Sequence, residues 1–193
     1  HLSAYHLIYE EKTRMYFMLK AGKIEPVVEE VSTAMFSMLI DWMKSHNFIH
    51  YEISAFGKEG YFSRHNTSYW KGNKYIGLGP AAHSFDGENR TWNVASLNRY
   101  IKGVEEGKPE QNSENLSSDE KYNEFILTGL RTMWGVDLNE LKILFGEKIY
   151  IYCIENADKY LNRQLLTIEG NNLKLTREGI FISDGIMSDL MRV

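Results

Sequence analysis

The segment Gln164–Thr176, "QLLTIEGNNLKLT", decides the fold of the C-terminal half of the chain. Two short apolar runs flank Gly170-Asn171-Asn172, which predicts a β-hairpin. A helical pattern from about Glu147 to Asn162 precedes this hairpin, and apolar residues at helical spacing follow it as far as Leu190. With the helices upstream, the order helix, helix, hairpin, helix is that of a winged-helix domain.

Two capping signals predict where the upstream helices begin. Ser117 and Glu120 have the spacing of a capping box, and Asp137 and Glu140 repeat it. Cys153 falls on the apolar side of the helix before the hairpin, so we expect a core thiol. The buried stripe of the first of these helices is predicted to be Tyr122, Ile126, Leu130 and Met133.

The N-terminal part has a strand–helix–strand pattern. His1 to Tyr9 and Phe48 to Phe56 are predicted to be strands, and the segment between Pro26 and His46 a helix that Asn47 ends. Such a unit is the building block of a parallel sheet. The core-facing stripe of the helix is predicted to be Val27, Val31, Met35, Met38, Leu39 and Trp42.

The middle of the chain contains shorter elements and a predicted domain boundary. "KYIGLG" (74–79) and "RTWNV" (90–94) are expected to be short strands, and Ser96 to cap a helix that runs to about Glu106. "EGKPEQNSEN" (106–115) is polar and contains Gly and Pro, which predicts a linker. We therefore expect two domains, residues 1–110 and residues 111–193.

Composition excludes several classes of function. A net charge of −4 gives no basic face for nucleic acid, although winged-helix domains often bind DNA. No apolar run approaches the ~20 residues that span a bilayer. The single cysteine excludes a disulfide framework and an iron–sulfur cluster held by this chain alone. The chain opens at His1 on a strand-like run without a Met, so we expect a piece of a longer protein.

The segment Ser63–Phe85, "SRHNTSYWKGNKYIGLGPAAHSF", carries the candidate site. One interpretation is a short helix capped by Asn66, with Tyr69 and Trp70 packed inward; the other is that His65 offers its imidazole to a metal while both rings stack on a flat ligand. The residues alone leave both open. The pattern Gly77-x-Gly79-x-x-Ala82 matches a dinucleotide fingerprint, but turn residues follow it where a helix is required.

Four stretches together give a family resemblance. "HLSAYHLIYEEKT" (1–13), "YEISAFGKEGYFSRHNTSYWKG" (51–72), "YIGLGPAAHSF" (75–85) and the winged-helix-like tail resemble the oxygen-independent coproporphyrinogen III oxidase family of radical SAM proteins. The run "HNTSYW", His65 to Trp70, resembles the HemW-like branch of that family. The resemblance implies an α+β fold: closing strand–helix units of a partial (β/α) barrel in residues 1–110, then a mainly helical, winged-helix-like domain.

The resemblance also implies ligands and site residues. S-adenosylmethionine and a [4Fe–4S] cluster belong to the full-length parent, whose cluster-binding cysteines are absent here. Ile8 and His83 match positions near S-adenosylmethionine. Haem is implied for the HemW-like branch, with His65 as the axial ligand and Tyr69 and Trp70 beside it. Arg64 and Lys71 flank this motif and are candidates to meet the propionates.

The implied function is that of a cytoplasmic haem chaperone that binds haem and delivers it to haem-accepting proteins. The alternative is an oxidase that decarboxylates coproporphyrinogen III to protoporphyrinogen IX by radical chemistry, with a porphyrinogen as ligand. A winged-helix interaction module is a third interpretation. The isolated chain is expected to have no catalytic turnover. An uncovered edge in a truncated barrel favours pairing, so a homodimer is also compatible with the sequence.

Overall fold

The computed structural model describes residues 1–192, and these fall into two compact units that divide between Ser63 and Arg64. The first unit contains β1 (Leu2–Ser3), α1 (Arg14–Lys20), α2 (Glu29–Ser45), β2 (Ile49–Glu52) and β3 (Ala55–Gly57). The second begins with α3 (Arg64–Trp70), β4 (His83–Phe85), β5 (Asn89–Asn93), α4 (Leu97–Glu105) and β6 (Gln111–Asn115). It continues with α5 (Ser118–Leu130), β7 (Val136–Asp137), α6 (Leu138–Phe145), α7 (Glu147–Asn162), β8 (Leu166–Glu169), β9 (Asn172–Leu175), α8 (Arg177–Ile180) and α9 (Ser183–Leu190). The class is mixed α and β, with three small sheets.

The sheet of the first unit is antiparallel, in the order β1-β3-β2. The predicted single strand from Phe48 to Phe56 is wrong, because this segment turns back on itself as the β2–β3 hairpin. The predicted strand His1–Tyr9 is reduced to Leu2–Ser3, which pairs with Phe56 and Ala55. Since β3 has only three residues, it offers a partner to few residues of the N-terminal segment.

Helix α2 ends as the sequence predicts, with Asn47 in the left-handed region at φ 61°. Its predicted core stripe is wrong. Ile40 and Met43 are the buried residues of this helix, whereas Met35 is 56% exposed and Met38 68% exposed. The C-terminal half of α2 therefore supplies its contribution to the small core, together with Tyr51, Ala55 and Phe56.

The middle sheet, in the order β4-β5-β6, lies within the second unit. The linker predicted at 106–115 is wrong, because Gln111–Asn115 is strand β6 and pairs with all five residues of β5. Every side chain of β6 is exposed, and this polar edge strand lacks the alternating pattern that identifies a half-buried strand. The predicted strand at 74–79 is also wrong, since only Tyr75 forms a bridge, with Phe85.

The rest of the second unit agrees closely with the sequence. The capping box of Ser117 and Glu120 is present, and α7 spans the predicted residues. The hairpin β8–β9 forms around Gly170, and β7 extends its sheet in the order β7-β9-β8. The predicted last helix is two helices, α8 and α9.

The core of the second unit is continuous through these helices and the last sheet. Cys153 is buried, as predicted, and burial raises the pKa of its thiol to about 11. The Tyr122 hydroxyl donates to the carbonyl oxygen of Leu190 (2.9 Å), and burial raises its pKa. The fully buried large side chains are Tyr122, Ile126, Leu130, Leu141, Leu166, Leu173, Ile186, Met187 and Leu190.

Candidate functional site

Helix α3 presents His65 and Tyr69 on one face. Residues four apart on a helix are neighbours, and the two ring centroids lie 4.9 Å apart in an edge-to-face arrangement. The His65 side chain is exposed, and neither of its ring nitrogens bonds to any of residues 1–192. Asn66 lies inside α3 rather than at its cap. The imidazole is therefore open to a ligand from outside the chain.

Tyr69 continues into a row of aromatic side chains. Its ring centroid lies 4.8 Å from that of Tyr75, which in turn lies 6.2 Å from that of Phe85. Two backbone hydrogen bonds of 2.9 Å join Tyr75 and Phe85 and fix the row at its far end. Tyr69 is 37% exposed, so part of this side chain is accessible to a ligand.

Trp70 has a different environment from Tyr69. It is half-buried, and the Cζ atom of Arg131 lies 5.0 Å from its ring centroid, within cation–π range. Its indole nitrogen and the Nε atom of Arg131 are both buried, and neither has a hydrogen-bond partner among residues 1–192. Trp70 thus joins α3 to the end of α5, and Arg131 is a site residue that the sequence motif does not reveal.

A groove in the second unit starts at these two aromatic residues. It has a volume of about 1280 Å³, and its walls include Tyr69 and Trp70 from α3, Phe125 from α5 and Trp134. Lys71 lies over the Trp134 ring, with its Nζ atom 5.1 Å from the centroid. The volume exceeds the ~300–1,000 Å³ of common small-molecule pockets. The groove therefore has room for a large, flat, apolar ligand.

The two glycines after Tyr75, Gly77 and Gly79, make contacts within the chain. A Cβ atom on Gly77 would lie 2.1 Å from the carbonyl oxygen of His83, so only glycine fits there. The buried side chain of Asn93 donates to the carbonyl oxygens of Gly77 (3.2 Å) and Gly79 (2.8 Å). The backbone at Gly77 therefore packs closely against the chain itself.

Ile8 and His83 belong to different units and have different surroundings. Ile8 is 73% exposed and belongs to the first unit, outside any strand. His83 is an exposed residue of β4 in the second unit, where its ring stacks on Trp92 with a centroid distance of 5.6 Å. Their contact with S-adenosylmethionine stays a prediction.

The residues of this chain do not fit an iron–sulfur cluster. Cys153 is its single thiol, and it is buried inside α7. Among residues 1–192 no group of three or more His, Cys, Asp and Glu is arranged to hold a metal ion. Haem differs in this respect, because one axial imidazole is enough to hold its iron. The exposed His65 fits that role.

The chain is similar in sequence to one protein family and to several known proteins. Residues 116–182 match the family described as the HemN C-terminal domain. The haem chaperone HemW of Bacillus subtilis is 33% identical over 150 residues, which are 77% of this chain and 40% of that protein. HemW of Mycobacterium tuberculosis is 28% identical over 192 residues, 99% of this chain and 47% of that protein. The mitochondrial radical S-adenosyl methionine domain-containing protein 1 of Danio rerio is 26% identical over 204 residues, 99% of this chain and 46% of that protein.

A solved structure shares the fold. The coproporphyrinogen III oxidase HemN from Escherichia coli, described as a radical SAM enzyme, superimposes with a TM-score of 0.61 at 12% identity. The match covers 81% of this chain and 40% of that one. The match at residues 116–182 puts this chain in the class of proteins that carry a HemN C-terminal domain.

The chain belongs to the radical SAM coproporphyrinogen III oxidase family, in its HemW-like branch. It spans about 40–50% of the length of the relatives it matches. The predicted family is confirmed.

Proposed function

We propose that the protein to which this chain belongs is a haem chaperone, which binds haem and delivers it to haem-accepting proteins. The observation that carries this proposal is the exposed, unpartnered imidazole of His65 beside the exposed ring of Tyr69. The imidazole would supply the axial ligand to the iron, and Tyr69 would stack on the porphyrin. The relatives named haem chaperone HemW support the same assignment.

Trp70 has a mixed role in this proposal. Its ring lies in the groove wall and also beneath the Arg131 guanidinium, so it would hold α3 in place while it contacts the ligand.

The proposal also includes the finer assignments of fold and of ligand positions. They are closing strand–helix units of a barrel in residues 1–110, a winged-helix-like domain in residues 111–193, and S-adenosylmethionine near Ile8 and His83 in the full-length protein.

The proposal includes a location and an assembly. Within residues 1–192 no helix is long and apolar enough to cross a bilayer. We place the protein in the cytoplasm, with haem and its acceptor proteins as partners. The net negative charge of the chain argues against nucleic acid as a partner. A homodimer is compatible with the proposal.

A titration of hemin into the full-length protein tests the role of His65. We expect His65→Ala to weaken binding and to shift the Soret band, because the iron loses its axial nitrogen. His46→Ala is the matched control, since His46 is an exposed imidazole whose Nδ1 bonds within its own helix end, to the carbonyl oxygen of Trp42. Identical spectra and affinities for the two variants would remove His65 from the site.

A second assay separates the chaperone from an oxidase. The full-length protein would be incubated anaerobically with coproporphyrinogen III, S-adenosylmethionine and a reductant. A chaperone is expected to leave the substrate unchanged. Formation of protoporphyrinogen IX would favour the oxidase instead.

A further inference from the structure

The groove that begins at Tyr69 and Trp70 also carries charges, and most of these are paired. Arg90 bonds to Glu124 (2.5 Å) and contacts Glu114 (3.5 Å), and Lys174 bonds to Glu169 (2.9 Å). Neutralised cations of this kind have little left to offer a ligand. Their ion pairs instead link neighbouring elements of the groove wall.

Two lysines in the groove lining are not neutralised. Lys121 is half-buried on the first turn of α5, and its ammonium group makes no hydrogen bond or ion pair with any of residues 1–192. The Lys71 ammonium group lies over the Trp134 ring and makes no ion pair in that part of the chain. An ammonium group without a carboxylate partner is free to form charge-assisted hydrogen bonds to an anion. An anionic ligand group would supply the missing acceptor.

The acids of the lining compete only weakly for these lysines. Glu124 is bound to Arg90, and the Asp137 carboxylate accepts from the backbone amides of Asn139 (2.9 Å) and Glu140 (3.0 Å) and from Asn171 (2.7 Å). Glu140 is the remaining acid in the lining, and it is exposed on α6. The groove thus combines aromatic walls with two free cations and one free carboxylate.

We propose that this groove holds the disc of a tetrapyrrole, and that Lys121 and Lys71 bind its ionised carboxylates. The proposal rests on the proposed haem-binding function and gives the ligand a second set of contacts, separate from the iron. His65 contacts Tyr69, a ring of the groove wall, so the axial ligand lies next to the same surface. The groove would bind a metal-free porphyrin as well as haem, because neither the lysine–carboxylate contacts nor the aromatic contacts involve the iron.

Binding of metal-free protoporphyrin IX, followed by fluorescence with the full-length protein, tests the groove. We expect Lys121→Glu to weaken binding by about tenfold or more, because a charge-assisted hydrogen bond is replaced by repulsion. Lys71→Glu should weaken it less, since Lys71 is exposed. Lys148→Glu is the matched control; it reverses an exposed charge on α7, outside the groove lining, and should bind like the parent.

The dimethyl ester of protoporphyrin IX isolates the role of the carboxylates. It lacks both charges, so its affinity should be the same for Lys121→Glu and for the control. If the acid binds equally well to Lys121→Glu and Lys148→Glu, or if the ester is weakened as much as the acid, Lys121 does not hold a carboxylate and the proposal is wrong. Unchanged circular dichroism of Lys121→Gln, with a smaller loss of affinity, would exclude misfolding as the cause.

The two proposals fail in different ways. His65→Ala should weaken hemin but not metal-free protoporphyrin, whereas Lys121→Glu should weaken both. If hemin binds through His65 but protoporphyrin does not bind at all, the haem function stands and the groove is not the binding site of the porphyrin. If protoporphyrin binding depends on Lys121 but hemin binding ignores His65, the groove stands and the axial ligand is wrong.

Discussion

Helices α2 and α5 have similar sequence patterns and different outcomes. Both carry apolar residues at helical spacing, and both were expected to bury a stripe. In α5 the residues Tyr122, Ile126 and Leu130 are buried, but in α2 Met35, Met38 and Trp42 are exposed. The difference is in what lies against each helix, because α5 packs on α9, β7, α6 and β9 and α2 contacts mainly the short strand β2.

The two units differ in the same way as their helices. The second unit surrounds a continuous core with helices and a sheet, while the core of the first consists of Ile40, Met43, Tyr51, Ala55 and Phe56. A periodic pattern indicates that a helix can bury one face, but the apolar area that it buries depends on the elements packed against it. Equal patterns therefore give unequal contributions to stability.

The largest expected effect tests this contrast directly. Leu130→Ala should lower the free energy of unfolding of the second unit by about 2–5 kcal/mol, since Leu130 is 1% exposed and its removal leaves a cavity. Met38→Ala in α2 should change stability by no more than about 0.5 kcal/mol. Urea unfolding, with hydrogen exchange to assign each unit, measures both. Similar losses for the two variants would mean that the α2 stripe is covered in the protein.

A smaller effect is expected at the helix starts. Ser117 caps α5 by accepting from the amide of Glu120 (3.2 Å), so Ser117→Ala should cost about 1 kcal/mol. Val28, at the same position before α2, has an extended backbone and no side-chain cap. Val28→Ser should therefore stabilise α2, by less than Ser117→Ala destabilises α5. Helix content and thermal midpoint report both changes, and a loss of helix in Val28→Ser would contradict the capping argument.

The third prediction concerns the hairpin β4–β5 and its dependence on pH. The side chain of Asn89 and the amides of Asn89 and Glu88 donate to Asp86 and lower its pKa to about 2. Since an unfolded Asp titrates at about 3.9, the charged carboxylate stabilises the folded state above that pH, and this contribution disappears as the pH falls through about 2.

Asp86→Asn is the variant that measures this contribution. The urea midpoint of the variant should lie below that of the parent at pH 7, and the difference should shrink between pH 4 and pH 2. Because Asp86 is exposed, we expect the smallest of the three effects. A difference that stays constant over this range would show that the carboxylate charge is not involved.

The candidate site was predictable only in part. The order of residues in "HNTSYW" brings His65 and Tyr69 together, because positions four apart share a helix face. No pattern in the sequence points to Arg131 or Lys121, which lie some fifty to sixty residues further along the chain. Trp70 was assigned to the ligand by its neighbours in sequence, and its contact with Arg131 is visible only when α3 is packed on α5.

The sequence by itself determined the features that depend on nearby residues. These are the capping box at Ser117, the bounds of α7, the turn at Gly170 and the motifs that identify the family. The tertiary structure decided which stripe is buried, that Gln111–Asn115 is a strand, and that a groove with two free lysines lies beside Tyr69. The physical reason is range: caps and turns are closed by bonds over a few residues, whereas burial and strand pairing depend on partners far away in the chain.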